Sequence, residues 1–199
     1  MSTVDFERLY AGDPDPWRVA SDWYERRKID VVLACLRRER YALAWDVGCG
    51  TGELAARLAQ RCDAVVATDA SPRAVGLSAA RCAALDSVEV QVSALPAVPE
   101  AVAAAGAELV VLSEVLYYLP PAERAASAAA VASVCAPRGD VLAVHWSERP
   151  EEALTSGLEC HREFDIRLLE AGFGRILAHR DVEFTLTMWS RDVPETTGR

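Results

Sequence analysis

The chain has 199 residues, 51% of them hydrophobic and 26% charged, and 30 acidic side chains outweigh 21 basic ones for a formal charge of −9. That balance suits one globular domain with a substantial core and excludes disorder as the main state. It also argues against a nucleic-acid partner, since chains that grip phosphate backbones carry a basic excess or stripe. The alanine-rich runs are too short and too often interrupted to span a membrane.

Taken in chain order, residues 1–40 read as an N-terminal helical cap. Phe6–Tyr24 is rich in aromatics and prolines, has no strand to join, and is expected to close as a lid over a site. A helix is predicted over Asp22–Arg38, with Ser21 as its cap. Residues 41–192 then alternate short apolar runs with longer helical segments. Strands are expected at Ala42–Val47, Ala64–Thr68, Val88–Val92, Leu109–Leu112 and Val141–Trp146. Helices are expected at Glu53–Arg61, Pro72–Ala83 and Pro121–Cys135, the last ended by Pro137-Arg138-Gly139. Ser71-Pro72 is an N-cap followed by proline at N1. This alternation predicts a doubly wound α/β fold around a parallel sheet. A last helix, Glu159–Ala171, stops at Gly172 and is followed by strands near Arg175–Val182 and Phe184–Ser190. They lie too close together for a parallel crossover and must pair antiparallel. The tail from Val193 is expected to fray.

The six cysteines, Cys35, Cys49, Cys62, Cys82, Cys135 and Cys160, show no C-x-x-C spacing, and the first residues lack a signal-peptide pattern. The expectation is a cytoplasmic protein with reduced thiols and no metal.

The chemistry concentrates after the first strand, in Asp46-Val47-Gly48-Cys49-Gly50-Thr51-Gly52. Glycines at a strand-to-helix turn allow positive φ and bring backbone N–H groups close to a ligand. The third glycine of a dinucleotide fingerprint is replaced by Glu53. A pyrophosphate would face Glu53 and Asp46, so the ligand is expected not to be strongly anionic. Asp69, at the end of the second strand, stands where a carboxylate takes both hydroxyls of a ribose.

These residues resemble motif I of the class I S-adenosylmethionine-dependent methyltransferases. Asp69, Ser93-Ala94-Leu95-Pro96 and Leu112-Ser113-Glu114-Val115-Leu116-Tyr117-Tyr118-Leu119 are similar to the later motifs, in the same order. The resemblance implies a seven-stranded Rossmann-like sheet of order 3-2-1-4-5-7-6 with its last strand antiparallel. It implies S-adenosylmethionine as cofactor, bound by Trp17, Arg27, Asp46, Gly48, Cys49, Gly50, Gly52, Asp69, Ala70, Ser93, Ala94, Leu95, Ser113 and Glu114. Ser93 departs from the acidic residue that many relatives place there. Phe6–Tyr10, Asp13–Trp17 and Ser21–Lys28 are similar to the NodS-like branch, named for a nodulation N-methyltransferase acting on an amino-sugar oligosaccharide.

Methyl transfer to an amine needs alignment and a deprotonated nucleophile. Glu114 and His145, at the ends of the fourth and fifth strands, are the titratable candidates, with Tyr24 beside them. Glu114 can equally be a structural carboxylate, and His145 a satisfied buried imidazole. Tyr117, Tyr118 and Trp146 are expected to bind the acceptor by stacking or cation–π attraction, although aromatic residues also serve as plain core. Asp15 lies on a proline-bounded acidic loop that either attracts a cationic amine or is only a turn. Arg26-Arg27-Lys28 reads either as a solvated helix face or as the source of one residue, Arg27 first among the three, that pairs with the cofactor carboxylate.

The leading reading is thus methyl transfer to an amine nitrogen of a small-molecule acceptor by a monomer or homodimer. The alternatives are an O- or carboxyl-methyltransferase of natural-product biosynthesis and a cofactor-binding scaffold without catalysis.

Overall fold

The structure, a computed structural model, describes residues 4–192. The tail expected to fray from Val193 lies outside them. The elements in chain order are α1 (Phe6–Gly12), α2 (Trp23–Cys35), β1 (Tyr41–Val47), α3 (Glu53–Leu58), β2 (Cys62–Asp69), α4 (Pro72–Cys82), β3 (Val88–Val92), α5 (Glu100–Ala105) and β4 (Ala107–Ser113). A 3-10 turn (Leu116–Tyr118), α6 (Pro121–Val134), β5 (Cys135–Trp146), α7 (Gly157–Glu170), β6 (Gly174–Arg180) and β7 (Phe184–Ser190) follow.

The seven strands form one sheet in the order β3-β2-β1-β4-β5-β7-β6. Pairing is parallel from β3 through β5, and β7 runs antiparallel to both β5 and β6. The central strands are apolar on both faces because helices cover both: Leu109 through Leu112 of β4 are fully buried. One core lies on the side of Trp45, Val110 and Phe164, the other on the side of Tyr41, Leu109 and Leu186. Among the described residues no helix is long and apolar enough to cross a membrane.

Two expectations need correction, and one element is new. The cap of α2 is Asp22, not Ser21: the Asp22 carboxylate accepts the Tyr24 N–H at 2.8 Å, a stronger acceptor placed one residue nearer the helix. Pro137-Arg138-Gly139 does not end a helix. α6 has already stopped at Val134, and these residues form the start of β5 beside a register shift opposite Ala107 and Leu109. A Cβ at Gly139 would sit 3.0 Å from the Ala107 carbonyl oxygen, so the strands approach too closely there for a side chain. α5 was not foreseen; it is a short alanine segment closed by Gly106 at φ 76°.

Candidate active site

The C-terminal ends of β1, β2, β4 and β5 open into a cavity of about 1020 Å³, roofed by residues of α1 and α2. At the first strand end the chain turns sharply. The Gly48 and Cys49 N–H groups both donate to the Thr68 carbonyl, at 2.8 and 2.9 Å. Gly48 has φ 73°, and a Cβ there would lie 2.0 Å from Val115 Cγ1. Glycine is therefore required by both backbone and space.

Asp46 is fully buried, lines the cavity, and has neither carboxylate oxygen hydrogen-bonded. Burial, with the Asp69 carboxylate nearby, pushes its pKa up to about 7. Buried polar atoms are nearly always satisfied, so an orphan pair facing a cavity points to a ligand that brings the donor. Asp69 is arranged differently. Its Oδ2 accepts the Gly50 N–H at 3.0 Å and its Oδ1 the Ser71 N–H at 2.9 Å, which locks the carboxylate with its outer lone pairs toward the cavity. Ala70, Cys49, Ser93, Ala94, Leu95 and Ser113 line the same end.

At the other end stands Glu114, whose φ of 56° is left-handed and strained for a residue with a side chain. Glu114 Oε2 accepts the Tyr117 hydroxyl at 2.6 Å and the Trp146 N–H at 2.9 Å, while Oε1 accepts Lys28 Nζ at 2.6 Å. Tyr117, Tyr118, Trp146 and Tyr24 line the cavity with Glu114, and Trp17 lines it from the N-terminal side, packed on Phe6 and Tyr10. The Tyr24 hydroxyl is buried without a partner among the described residues. Burial, and then the Glu114 charge, push its pKa well above the ordinary tyrosine value, so it stays a phenol.

Four expected site residues are not in the cavity lining. His145 is fully buried behind the site. Its Nε2 accepts the Leu116 N–H at 3.1 Å and its Nδ1 meets His161 Nε2 at 2.9 Å. Burial, with Lys28 nearby, drops its pKa to about 3. It is a neutral strut beneath the 3-10 turn rather than a base facing the acceptor. Arg27 pairs with Asp181 and Glu183 at the β6–β7 turn. Asp15 caps its own loop, accepting the Val19 N–H at 2.8 Å and the Ala20 N–H at 3.1 Å. Gly52, at φ 82°, packs against Ser78 of α4, where a Cβ would lie 2.6 Å from Oγ. Its purpose is helix packing.

Sequence reasoning missed Glu25 and Tyr10 and ranked Lys28 behind its neighbour Arg27, although all three of Glu25, Tyr10 and Lys28 are in the lining. The signal for Lys28 was its rarity, as the one lysine in the chain. Tyr10 is buried, with its hydroxyl facing Gly50. Glu7 of α1 accepts the Ser71 hydroxyl at 2.6 Å and the Arg73 N–H at 3.1 Å, which ties the roof to the start of α4.

Comparison with known proteins agrees with this geometry. Residues 44–139 match a family described as a methyltransferase domain. A crystal structure of a Pseudomonas syringae protein assigned as a methyltransferase is 35% identical, with a TM-score of 0.71, over 85% of this chain and 100% of that one. The N-methyltransferase NodS from Bradyrhizobium japonicum, solved with S-adenosyl-L-homocysteine, shares 20% identity over 94% of this chain and 96% of its own, with a TM-score of 0.76. Magnesium protoporphyrin IX methyltransferase from Synechocystis, solved with S-adenosylmethionine, shares 19% identity and a TM-score of 0.71 over 94% and 95% of the two chains. The last two likenesses speak to the fold. No curated protein matches the sequence. The glycine turn, the orphan Asp46 carboxylate and the locked Asp69 suit the ammonium and ribose of S-adenosylmethionine, and the chain belongs to the family of methyltransferases that use it.

Proposed function

We propose that the protein methylates an amine nitrogen of a small, polar molecule, amino sugars and their oligosaccharides being the class that fits best. The observation that carries this reading is the charge of the cavity. Eleven lining residues bear carboxyl groups, and Lys28 is the one basic residue among them. A concave site lined with one sign of charge concentrates ligands of the other sign. Anionic acceptors such as carboxylates would be repelled, and an ammonium would be drawn in.

The cofactor supplies a methyl group on a positively charged sulfur. Asp46 and Asp69 are assigned to its ammonium and ribose, with Gly48, Cys49, Gly50, Ala70, Ser93, Ala94, Leu95 and Ser113 around it. Glu114 holds the acceptor nitrogen by accepting one of its N–H bonds, which turns its lone pair toward the methyl. Tyr117, Tyr118 and Trp146 present faces on which a sugar ring stacks or an ammonium rests. Phe6–Tyr24 acts as a cap that excludes water, with Trp17 and Tyr24 closing on the cofactor and acceptor. His145 takes no part as a proton acceptor, so the proton of the amine leaves to solvent or before binding. On this account kcat/KM climbs with pH, from about pH 6 towards 9, as the free amine forms.

The test is a panel of amine, hydroxyl and carboxylate acceptors incubated with S-adenosylmethionine and a chelator, with products read by mass spectrometry. Methylated amines are expected. Products formed on oxygen alone would overturn the nitrogen assignment.

A further inference from the structure

Methyl transfer to an amine has no obvious use for a second cation beside the acceptor nitrogen, yet Lys28 stands there, 3% exposed. Its Nζ lies 3.0 Å from Glu25 Oε1, 2.9 Å from Glu25 Oε2 and 2.6 Å from Glu114 Oε1. Two of these contacts are hydrogen bonds, to Glu25 Oε1 and Glu114 Oε1, and the third is the second oxygen of the same Glu25 carboxylate in the ion pair. Lys28 is thus already engaged by two carboxylates. The remaining neighbour is the Tyr24 ring, 4.9 Å from Nζ. Burial disfavours the Lys28 ammonium, but Glu114 and Glu25 outweigh it and hold its pKa above the ordinary lysine value.

Glu114 is where this arrangement acts. Its two oxygens are tied by donors from three places, Lys28 on α2, Tyr117 on the 3-10 turn and the Trp146 N–H at the end of β5. Oε2 carries two of these bonds and Oε1 only one, so the free lone pair of Oε1 is the position left for a ligand. Lys28 is the one donor that holds Oε1 itself. Glu25 in turn is 9% exposed and holds Lys28 by two short contacts.

Resting on the amine reading above, we propose that Lys28, backed by Glu25, is a positioning residue that aims Glu114 Oε1 at the acceptor nitrogen. It touches neither the acceptor nor the cofactor and works through Glu114. The ion pair also joins α2 to the end of β4, so the cap and the acceptor carboxylate are set together.

A double-mutant cycle with Lys28→Met and Glu114→Gln tests this, reading kcat with the acceptor that the panel identifies and, separately, the affinity for S-adenosyl-L-homocysteine by calorimetry. Lys28→Met is expected to lower kcat by about 10-fold or more, and the double variant to be within about threefold of Glu114→Gln alone, because residues acting as a unit are not additive. Product affinity should stay within about threefold throughout. Two independent losses that multiply would overturn the proposal. So would a Lys28→Met variant with normal kcat and lost product affinity. Removing one partner of a buried ion pair can prevent folding. The paired replacement Lys28→Met with Glu25→Gln then takes its place in the same cycle, with the same two outcomes. Glu25→Gln alone should lower kcat less than Lys28→Met, and no further in the Glu114→Gln background. Methylation confined to oxygen acceptors rejects the amine reading but leaves the cycle readable on those acceptors. Additivity on an amine acceptor rejects the role of Lys28 and leaves that reading intact.

Discussion

The two ends of the cavity treat their carboxylates in opposite ways. Asp46, at the end proposed for the cofactor, is fully buried with both oxygens unpartnered among the described residues. Glu114, at the end proposed for the acceptor, already receives three hydrogen bonds from three elements. A buried carboxylate without donors is held ready for a ligand that carries the missing positive charge. A carboxylate tied at both oxygens has its direction set before the ligand arrives, which is what alignment of a reacting nitrogen requires. The first end should therefore govern affinity and its dependence on pH, and the second should govern rate.

The largest expected effect falls at the acceptor end. Glu114→Gln keeps the shape of the side chain and removes its charge, and kcat should fall by about 10²-fold, the scale of misplacing a reacting group, with product affinity nearly unchanged. If steady-state kinetics and calorimetry showed the reverse pattern, the division between the two ends would be wrong.

At the cofactor end, Asp69→Ala should weaken binding of S-adenosylmethionine by about 1–3 kcal/mol, the scale of lost hydrogen bonds to a charged group. An unchanged dissociation constant would remove Asp69 from the ribose.

Asp46 sharpens the comparison through pH. Its pKa of about 7 in the folded protein lies above the ordinary aspartate value. Between roughly pH 4 and 7 the folded state holds a proton that the unfolded chain has lost, so this group makes the ligand-free protein less stable as pH rises through that window. A ligand ammonium selects the ionised carboxylate, so affinity for S-adenosyl-L-homocysteine should rise with pH, by up to about tenfold per unit below pH 7, and then level off. Asp46→Asn should flatten that dependence, and calorimetry at several pH values would show it.

His145 gives a smaller effect, on stability rather than rate. Its folded pKa of about 3 lies below the ordinary 6.5, so the neutral form stabilises the fold above pH 6.5, and that contribution is lost as pH falls from 6.5 towards 3. His145→Gln should shrink this acid limb in thermal melts while kcat at alkaline pH stays within about threefold, far from the loss of a positioned base. The smallest effect belongs to the roof. Amide exchange in Phe6–Tyr24 should slow when product binds, since Tyr10 and Trp17 gain a ligand surface to pack on. Equal exchange with and without ligand would mark the segment as fixed.

The glycine turn, Asp69 and the strand-helix alternation were legible in the sequence because each is a local device. A positive φ, a strand-end carboxylate and a 3.6-residue period act over a few residues. Sheet order followed from the family resemblance, and the antiparallel pairing of β6 with β7 from loop length alone. The tertiary structure decided what distance in sequence conceals. His145 and Glu114 both end strands, yet one is enclosed under Leu116 and His161 while the other faces the cavity. Arg27 and Lys28 are neighbours in the chain, but a helix turns adjacent residues about 100° apart. Arg27 is carried to the β6–β7 turn and Lys28 into the site. The sequence by itself determined the class of fold and the place of the glycine turn and of Asp69 at the strand ends. Which charges face the cavity was decided only by helix phase and by contacts between residues some 86 positions apart, where burial and pairing, rather than local propensity, select the arrangement.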